Sequence, residues 1–360
     1  MKLKSIAIVF ALTIFSTAFA EQGNEIALSP NHPDQYIVKK GDTLWDIAET
    51  FLRDPWRWKD IWEGNSQIEN PDLIYPGDVI YLSEKDGHPV LSMRNPGENG
   101  TSLSGSGEDG SLVKITPSIR QGDLSSPIPT IPISVIRPFL SKPSVVTNDT
   151  LDSAPYIVSF QDGHLLGGSD SIVYVRNLDD VTADFDIVRK GNPYRHHQTG
   201  KILGYEALYV GKAQFLRDGD PATFKLVTSE RDARIGDRLI HSGMEKGLFE
   251  IQPHVPESDI HGTIIRVVDG VSQIGQHAVV VIDMGSKEGV ESGHVLSIFQ
   301  SSDTVRDRVI NDAGEWVKLP QEEAGLLMIF RSFDHVSFGL VMDATRALHL
   351  SDTVRTPPLY

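Results

Sequence analysis

The chain has 360 residues, with 33 basic and 49 acidic side chains, a formal net charge of -16 and no cysteine. The acidic balance disfavours nucleic-acid binding, because phosphates attract basic surfaces. The missing cysteine excludes disulfides, thiolate metal ligands, a cysteine-linked lipid anchor and cysteine nucleophiles. A chain of this length can nevertheless bury adequate cores without crosslinks.

The first 20 residues have the organisation of a secretory signal peptide. Lys2 and Lys4 precede an apolar run from Ile6 to Phe15, and Ala18-Phe19-Ala20 ends the segment. This run is too short for a bilayer span, which takes about 20 residues, and a small-x-small triplet is typical of a cleavage site. We expect export with cleavage after Ala20, which leaves a mature net charge of -18.

Residues 34–83 predict a small domain of order βααβ. Tyr36–Val38 suits a strand, and a helix then begins at Asp42 or Thr43. A second helix starts at Asp54-Pro55, where proline is tolerated, and Val79–Leu82 forms a strand that pairs with the first. The first helix has one apolar face with i, i+3, i+4, i+7 spacing, formed by Leu44, Ile47, Ala48 and Phe51.

Four of the five tryptophans lie in this domain, where large aromatic side chains supply core area to a small fold. The spacing of Trp58 and Trp62 with Ile61 predicts that both are core residues. Trp45 and Trp56 lie off the apolar faces, and two alternatives stay open for them. Each either covers a hydrophobic contact or helps to bind a ligand.

Two motifs in this domain, Tyr36-Ile-Val-Lys-Lys-Gly-Asp-Thr-Leu-Trp-Asp-Ile-Ala48 and Ile74-Tyr-Pro-Gly-Asp-Val-Ile80, resemble the LysM family. The resemblance implies binding of N-acetylglucosamine-containing glycans, peptidoglycan or chitin, in a shallow groove between two loops, without a catalytic group, cofactor or metal. Exposed loop N–H and C=O groups suit the N-acetyl group, and two apolar side chains offer its methyl group a seat. Carried onto matching positions, the groove comprises Gly41, Asp42, Thr43, Leu44, Asp72, Leu73, Ile74 and Tyr75.

Residues 84–150 predict a linker. Asn95–Gly110 is rich in Gly, Ser and acidic residues and cannot bury enough apolar surface to order itself. Between Leu112 and Pro143, apolar residues alternate with prolines, which predicts an extended segment that partly packs against the following domain.

Residues 151–360 predict a mainly-β domain, so the whole chain is of the α+β class. Short β-type runs, such as Tyr156–Phe160, Ile172–Val175, His277–Ile282 and His294–Phe299, are separated by turn residues. Thr223–Val227 followed by Ile235-Gly-Asp237 has a counterpart in Ser337–Val341 followed by Leu350-Ser-Asp352. The region is therefore one domain or two related halves, each a small barrel or sandwich.

A closer resemblance rests on Phe51-Leu-Arg-Asp-Pro-Trp-Arg-Trp-Lys-Asp-Ile-Trp62 and Asn65-Ser-Gln-Ile-Glu-Asn-Pro-Asp-Leu-Ile-Tyr-Pro-Gly-Asp78. These phrases resemble the type IV pilus secretin-associated proteins, whose C-terminal domain is similar to that of the flagellar assembly protein T. The resemblance implies a periplasmic protein, associated with the cell wall and an outer-membrane complex. It implies that such a protein holds a secretin ring to peptidoglycan, with copies arranged around the ring.

A wall hydrolase that uses a LysM module for targeting is the alternative from another class, and a generic wall-attached envelope protein is the third. His196 and His197 are adjacent, so on a strand they would point to opposite faces and would not form a ligand pair. His254, His261 and His294 also lack ligand spacing, which favours surface histidines. Glu206 and many aspartates supply carboxylates, as any acidic chain does. The sequence therefore favours a binding protein without catalytic residues.

Overall fold

A computed structural model describes residues 26–62, 74–93, 127–140, 145–178, 184–242, 251–268, 274–300, 304–309 and 314–358. The predicted signal peptide and Asn95–Gly110 lie outside these ranges. Within them, no helix has the length and apolar character that a membrane crossing requires. The described residues form an N-terminal module and two β-barrels.

The N-terminal module confirms the predicted βααβ order and adds a strand. β1 and β2 pair antiparallel, with Tyr36 opposite Ile80, and a third strand pairs with β2. The prediction that a linker begins at residue 84 is therefore wrong for residues 84–92, which the pairing with β2 keeps in the sheet. The elements are β1 (Gln35–Ile37), α1 (Leu44–Phe51), a 3₁₀ turn (Pro55–Arg57), α2 (Trp58–Ile61), β2 (Val79–Lys85) and β3 (His88–Ser92).

The predicted apolar face of α1 is confirmed, because its four residues are all buried in the core of the module. Trp58 is buried there too, and its ring meets that of the partly buried Trp62 edge to face, with 6.2 Å between centroids. Thr43 begins α1 as its N-cap, in a capping box with Asp46.

Part of the predicted linker is regular structure. α3 (Ile133–Leu140), β4 (Val145–Val146) and α4 (Asn148–Ser153) lie within or across its bounds. The expectation of an extended chain is wrong for residues 133–140, because Ile136 and Leu140 share one helical face and bury it in a core cluster. Pro138 lies in the last turn of α3, which ends two residues later.

The first barrel contains six strands in an antiparallel ring of order β5-β7-β10-β9-β8-β12, closed by the pairing of β12 with β5. β4 adds to β9 outside the ring, and β6 pairs with β11. The strands are β5 (Tyr156–Phe160), β6 (Leu166–Gly167), β7 (Ile172–Arg176), β8 (Asp184–Arg195), β9 (Ile202–Arg217), β10 (Ala222–Ser229), β11 (Ala233–Arg234) and β12 (Arg238–His241).

The second barrel is a closed ring of order β13-β14-β19-β18-β15-β20, and β16 with β17 forms a separate hairpin. Its apolar interior is completely buried, with side chains such as Leu327 and Ile329 at 0% exposure. The strands are β13 (His261–Val268), β14 (Val279–Ile282), β15 (Val295–Phe299), β16 (Thr304–Asp307), β17 (Glu315–Lys318), β18 (Glu323–Ser332), β19 (Ser337–Ala344) and β20 (Thr353–Arg355).

The two barrels share one pairing scheme. In each, the first of the six ring strands pairs with the second and sixth, the second with the fifth, the fifth with the fourth, the fourth with the third and the third with the sixth. The correspondence seen in the sequence falls on equivalent strands, β10 and β19, and on the turns before β12 and β20. Two related halves explain both the shared pairing scheme and the repeated sequence pattern. Both halves are barrels rather than sandwiches.

The equivalent turns agree in their hydrogen bonds. The Asp237 C=O accepts from Ile157 N–H at 3.0 Å, and the Asp352 C=O accepts from Ile264 N–H at 2.9 Å. Each carboxylate also accepts a backbone N–H three residues earlier, from Arg234 at 2.8 Å and His349 at 2.7 Å. Both aspartates are buried, so their carboxylates anchor the start of the last ring strand.

The N-terminal module packs on the second barrel through its two remaining tryptophans. Trp45 and Trp56 are buried in one cluster with α3 and with barrel residues such as Phe330. Lys59 Nζ donates to Gln252 Oε1 at 2.6 Å beside this contact. Of the two alternatives for these tryptophans, the structure gives the hydrophobic contact.

Candidate glycan-binding groove

The first predicted loop is held in shape by Asp42. Its Oδ2 accepts the Tyr36 hydroxyl at 2.9 Å and the Lys39 N–H at 2.8 Å. Burial and this bond to Asp42 raise the pKa of Tyr36 to about 12. Gly41 precedes with φ +101°, a conformation that favours glycine. The Asp42 side chain thus serves the loop itself, and Gly41 lets the chain turn.

The N-terminus of α1 presents backbone donors. Thr43 is 4% exposed, and its hydroxyl accepts the Asp46 N–H at 3.2 Å while Asp46 Oδ2 accepts the Thr43 N–H at 2.9 Å. The capping box does not bind the N–H groups of Leu44 and Trp45. They lie in the first turn, where a helix has no internal acceptor for them. These two donors are directed out of the helix start, and their acceptors lie outside α1.

The second predicted loop returns the chain to β2. Asp78 Oδ2 accepts the Tyr75 N–H at 3.0 Å, and Gly77 N–H donates to Val38 C=O at 2.7 Å, which ties this loop to the end of β1. Asp72 and Leu73 lie outside the described residues. The side chain of Ile74 is fully buried. Its backbone C=O is therefore the group that can bind a ligand or another segment.

Residues 127–131 of the same chain lie between the two loops. Ile128 N–H donates to Ile74 C=O at 2.9 Å, while Leu44 N–H donates to Pro129 C=O at 3.0 Å and Trp45 N–H to Thr130 C=O at 3.1 Å. The Ile128 side chain is buried in the core of the module. The 127–131 segment therefore uses the backbone groups that face each other across the groove.

Sequence reasoning missed this segment, because a contact between residues far apart in the chain leaves no local periodicity. The available signal was Pro127-Ile-Pro-Thr-Ile-Pro132, an extended apolar stretch without a strand partner. The predicted positions that the structure describes, Gly41, Asp42, Thr43, Leu44, Ile74 and Tyr75, do lie on two adjacent loops. Their contact with a glycan stays a prediction.

The histidines are arranged differently from the prediction in one place. His254 and His294 meet ring to ring, with 4.9 Å between centroids, and His294 is buried rather than on the surface. Burial and the neighbouring His254 lower the pKa of His294. Among the described residues, no group of three or more His, Asp or Glu side chains is placed to hold a metal ion.

A cavity of about 510 Å³ is lined by residues of both barrels and of α3, which include Tyr194, Glu206 and Arg266. Arg266 Nη1 donates to Glu206 Oε2 at 3.0 Å, and the guanidinium lies 4.8 Å from the centre of the Tyr194 ring. Glu206, a carboxylate considered for glycosidic chemistry, is thus an ion-pair partner of Arg266.

Comparison with known proteins agrees with the geometry of the N-terminal module. Residues 36–83 match the family model of the LysM domain, a module that binds N-acetylglucosamine-containing peptidoglycan. The uncharacterized protein YqbP of Bacillus subtilis (strain 168) is 38% identical over 61 residues, which is 16% of this chain and 28% of that protein.

Two further relatives are similar over equally short stretches. Spore coat assembly protein ExsA of Bacillus cereus is 43% identical over 53 residues, 15% of this chain and 8% of that protein. SpoIVD-associated factor A of Bacillus subtilis (strain 168) is 41% identical over 64 residues, 18% of this chain and 16% of that protein. The chain thus spans less than a third of the length of each relative.

Proposed function

We propose, with residues 36–83 as a LysM domain, that the protein is a non-catalytic periplasmic tether that binds peptidoglycan through the groove of this domain. One observation carries the proposal. The N–H donors of Leu44 and Trp45 face the C=O acceptor of Ile74 across a gap that a single extended peptide segment bridges. Acetamido groups carry the same C=O acceptor and N–H donor as peptide groups, so a glycan with N-acetyl groups can pair with the donors of one wall and the acceptor of the other.

The apolar surroundings add selectivity for the acetyl group. Ile128 fills a seat in the core of the module, which shows that the groove accepts an apolar group next to its amide contacts. A methyl group placed there leaves water in the same way. Backbone donors and a small apolar seat favour N-acetylglucosamine over a sugar without the acetamide.

The tether role at a secretin ring is the finer part of the proposal. It rests on the resemblance of Phe51–Trp62 and 65–78 to the secretin-associated proteins, and on the C-terminal barrels as a second surface separate from the groove. Copies around a ring would hold a polymeric glycan with an avidity ~10² to 10⁴ times that of one site. Weak single grooves are then sufficient for anchoring.

A sedimentation experiment tests glycan binding and catalysis together. The mature chain from Glu21 is mixed with purified, labelled sacculi, and we expect it to pellet with them and to release no muropeptides. Soluble N-acetylglucosamine oligomers should compete for the bound protein. Released muropeptides would favour the wall hydrolase. A protein that stays in the supernatant would contradict the proposed tether role.

Copurification tests the ring partner separately. A tagged copy, expressed in a piliated strain after mild crosslinking, should bring down the outer-membrane secretin. Recovery of sacculus fragments without the secretin would leave a generic wall-attached protein and contradict the pilus role.

A further inference from the structure

We propose that the 127–131 segment is a built-in competitor of the glycan, so that the groove is closed in the free protein and opens only when this segment leaves. The inference rests on the proposed function and adds the regulation of the same site. It starts from the three backbone hydrogen bonds, of 2.9 to 3.1 Å, that join the segment to both walls of the groove.

The segment has the hydrogen-bonding pattern expected of the ligand. Its C=O groups at Pro129 and Thr130 accept from the start of α1, and its N–H at Ile128 donates to the opposite wall. The acetamido groups of a glycan pair with the same kinds of donor and acceptor. Since each of the two α1 N–H groups is directed at one segment carbonyl, a sugar in this position and the segment exclude each other.

The sequence of the segment suits a reversible occupant. Pro127, Pro129 and Pro132 fix the backbone in an extended form, so little conformational entropy is lost when the segment docks. They have no N–H, so release exposes few donors. Pro127 and Pro129 are exposed, and Ile128 is the side chain of the segment that lies in the core of the module.

The segment also links the groove to the second barrel. Ile131 is buried in the cluster that contains Trp45, and α3 follows directly, with Arg331 Nη1 donating to Phe139 C=O at 2.8 Å. A partner that shifts α3 on this barrel would pull the segment with it. Occupation of the barrel region and opening of the groove are thereby coupled through two adjoining stretches of chain.

The closed arrangement contains features that favour opening. The Trp45 indole Nε1 is buried without a hydrogen-bond acceptor among the described residues. Glu49 on α1 lies near Asp343 of the second barrel, and burial with this like charge raises its pKa to about 7. Both features weaken the contact between the module and the second barrel, through which Ile131 and α3 hold the segment.

The test compares the full mature chain with Ile128→Asp, which puts a carboxylate into the apolar seat. Ser134→Asp is the matched control, because it adds the same charge at an exposed position of α3. The probe is the hexamer of N-acetylglucosamine, measured by calorimetry. We expect Ile128→Asp to bind at least tenfold more tightly than the wild type and Ser134→Asp to bind like the wild type, since affinity falls with the closed fraction.

Near-ultraviolet circular dichroism of the tryptophans would reveal whether Ile128→Asp fails to fold. A second variant and a second measurement test the proposal in that case. The double variant Pro127→Gly, Pro129→Gly removes no buried side chain and should raise affinity several-fold. In the wild type, saturating hexamer should speed hydrogen exchange of the Ile128 amide, which donates to Ile74 C=O when the groove is closed.

The outcomes separate the two proposals. Equal affinity of wild type and variants, with the Ile128 amide still protected in the saturated protein, would overturn closure and leave glycan binding in place. If no folded variant binds the hexamer or sacculi, the groove is not a glycan site and both proposals fall. Faster exchange with tighter binding of the variants supports both.

Discussion

The barrels and the N-terminal module are completed in different ways. Each barrel closes its own ring of hydrogen bonds and fills it with its own strands. The module has three strands and two short helices, and its core includes Ile128 from a distant segment. A closed ring has no free strand edge and no gap in its core that another group could fill. A module whose core is completed by a distant segment of the chain can exchange that segment for a ligand.

The largest expected effect is a loss of stability when a side chain inside the second barrel is removed. Ile329 is fully buried on β18 inside the second barrel. Ile329→Ala should cost about 2–5 kcal/mol of unfolding free energy, because a cavity remains inside a closed ring of strands that cannot collapse. Urea unfolding measures this, with Trp316→Ala as control, since Trp316 is 67% exposed and should change stability by less than about 0.5 kcal/mol. Equal effects would contradict the barrel core.

A smaller effect is expected at the contact between the two regions. Trp45 is 1% exposed in the cluster shared with the barrel. Trp45→Ala should destabilise the docked module by about 2–4 kcal/mol and separate its thermal transition from that of the barrels. Calorimetry checks this. A single transition at the wild-type temperature would mean that the module does not depend on the barrel.

The backbone donors of the groove are testable with a proline. Thr43 has φ -115° and ψ 164°, which a following proline accepts, and proline is tolerated at the first helical position. In the Ile128→Asp chain, Leu44→Pro should bind the N-acetylglucosamine hexamer about tenfold more weakly than Leu44→Ala, which loses the side chain but keeps the N–H. Equal affinities would exclude the Leu44 N–H as a donor to the sugar.

The smallest expected effect is a pH dependence of docking. Burial first, then Asp343 and Asp46, raise the pKa of Glu49 from its ordinary 4.5 to about 7. Protonated Glu49 therefore stabilises the folded state fully below about pH 4.5, and this contribution is lost as the pH rises through about 7.

Glu49→Gln is neutral at every pH and should remove that dependence. Relative to the variant, the wild type should lose about 1 kcal/mol between pH 5 and pH 8, a figure reduced for partial exposure. Urea unfolding at the two pH values measures the difference. Parallel pH profiles of the two proteins would show that Glu49 is not buried in this contact in solution.

Local patterns in the sequence were sufficient to predict individual helices and strands. They were insufficient to predict the contacts between distant parts of the chain. The α1 face, the β1 to β2 pairing and the Trp58 and Trp62 core follow from spacing, and the Asp237 and Asp352 turns were visible as a repeat. Ring closure, burial of Trp45 and insertion of the 127–131 segment depend on contacts across the chain, which no local window contains. The groove residues were chosen by resemblance, and their occupant came only from the structure.

The most direct test of the account is amide chemical-shift mapping on the isotope-labelled chain from Glu21 onward, titrated with the N-acetylglucosamine hexamer. We predict that the largest shifts occur at the Leu44 and Trp45 amides and at Tyr75, which follows the Ile74 C=O, while the strands of the first barrel do not shift. A saturable binding curve whose shifts fall on the barrels, with the Leu44 and Trp45 amides unchanged, would contradict the groove as the glycan site.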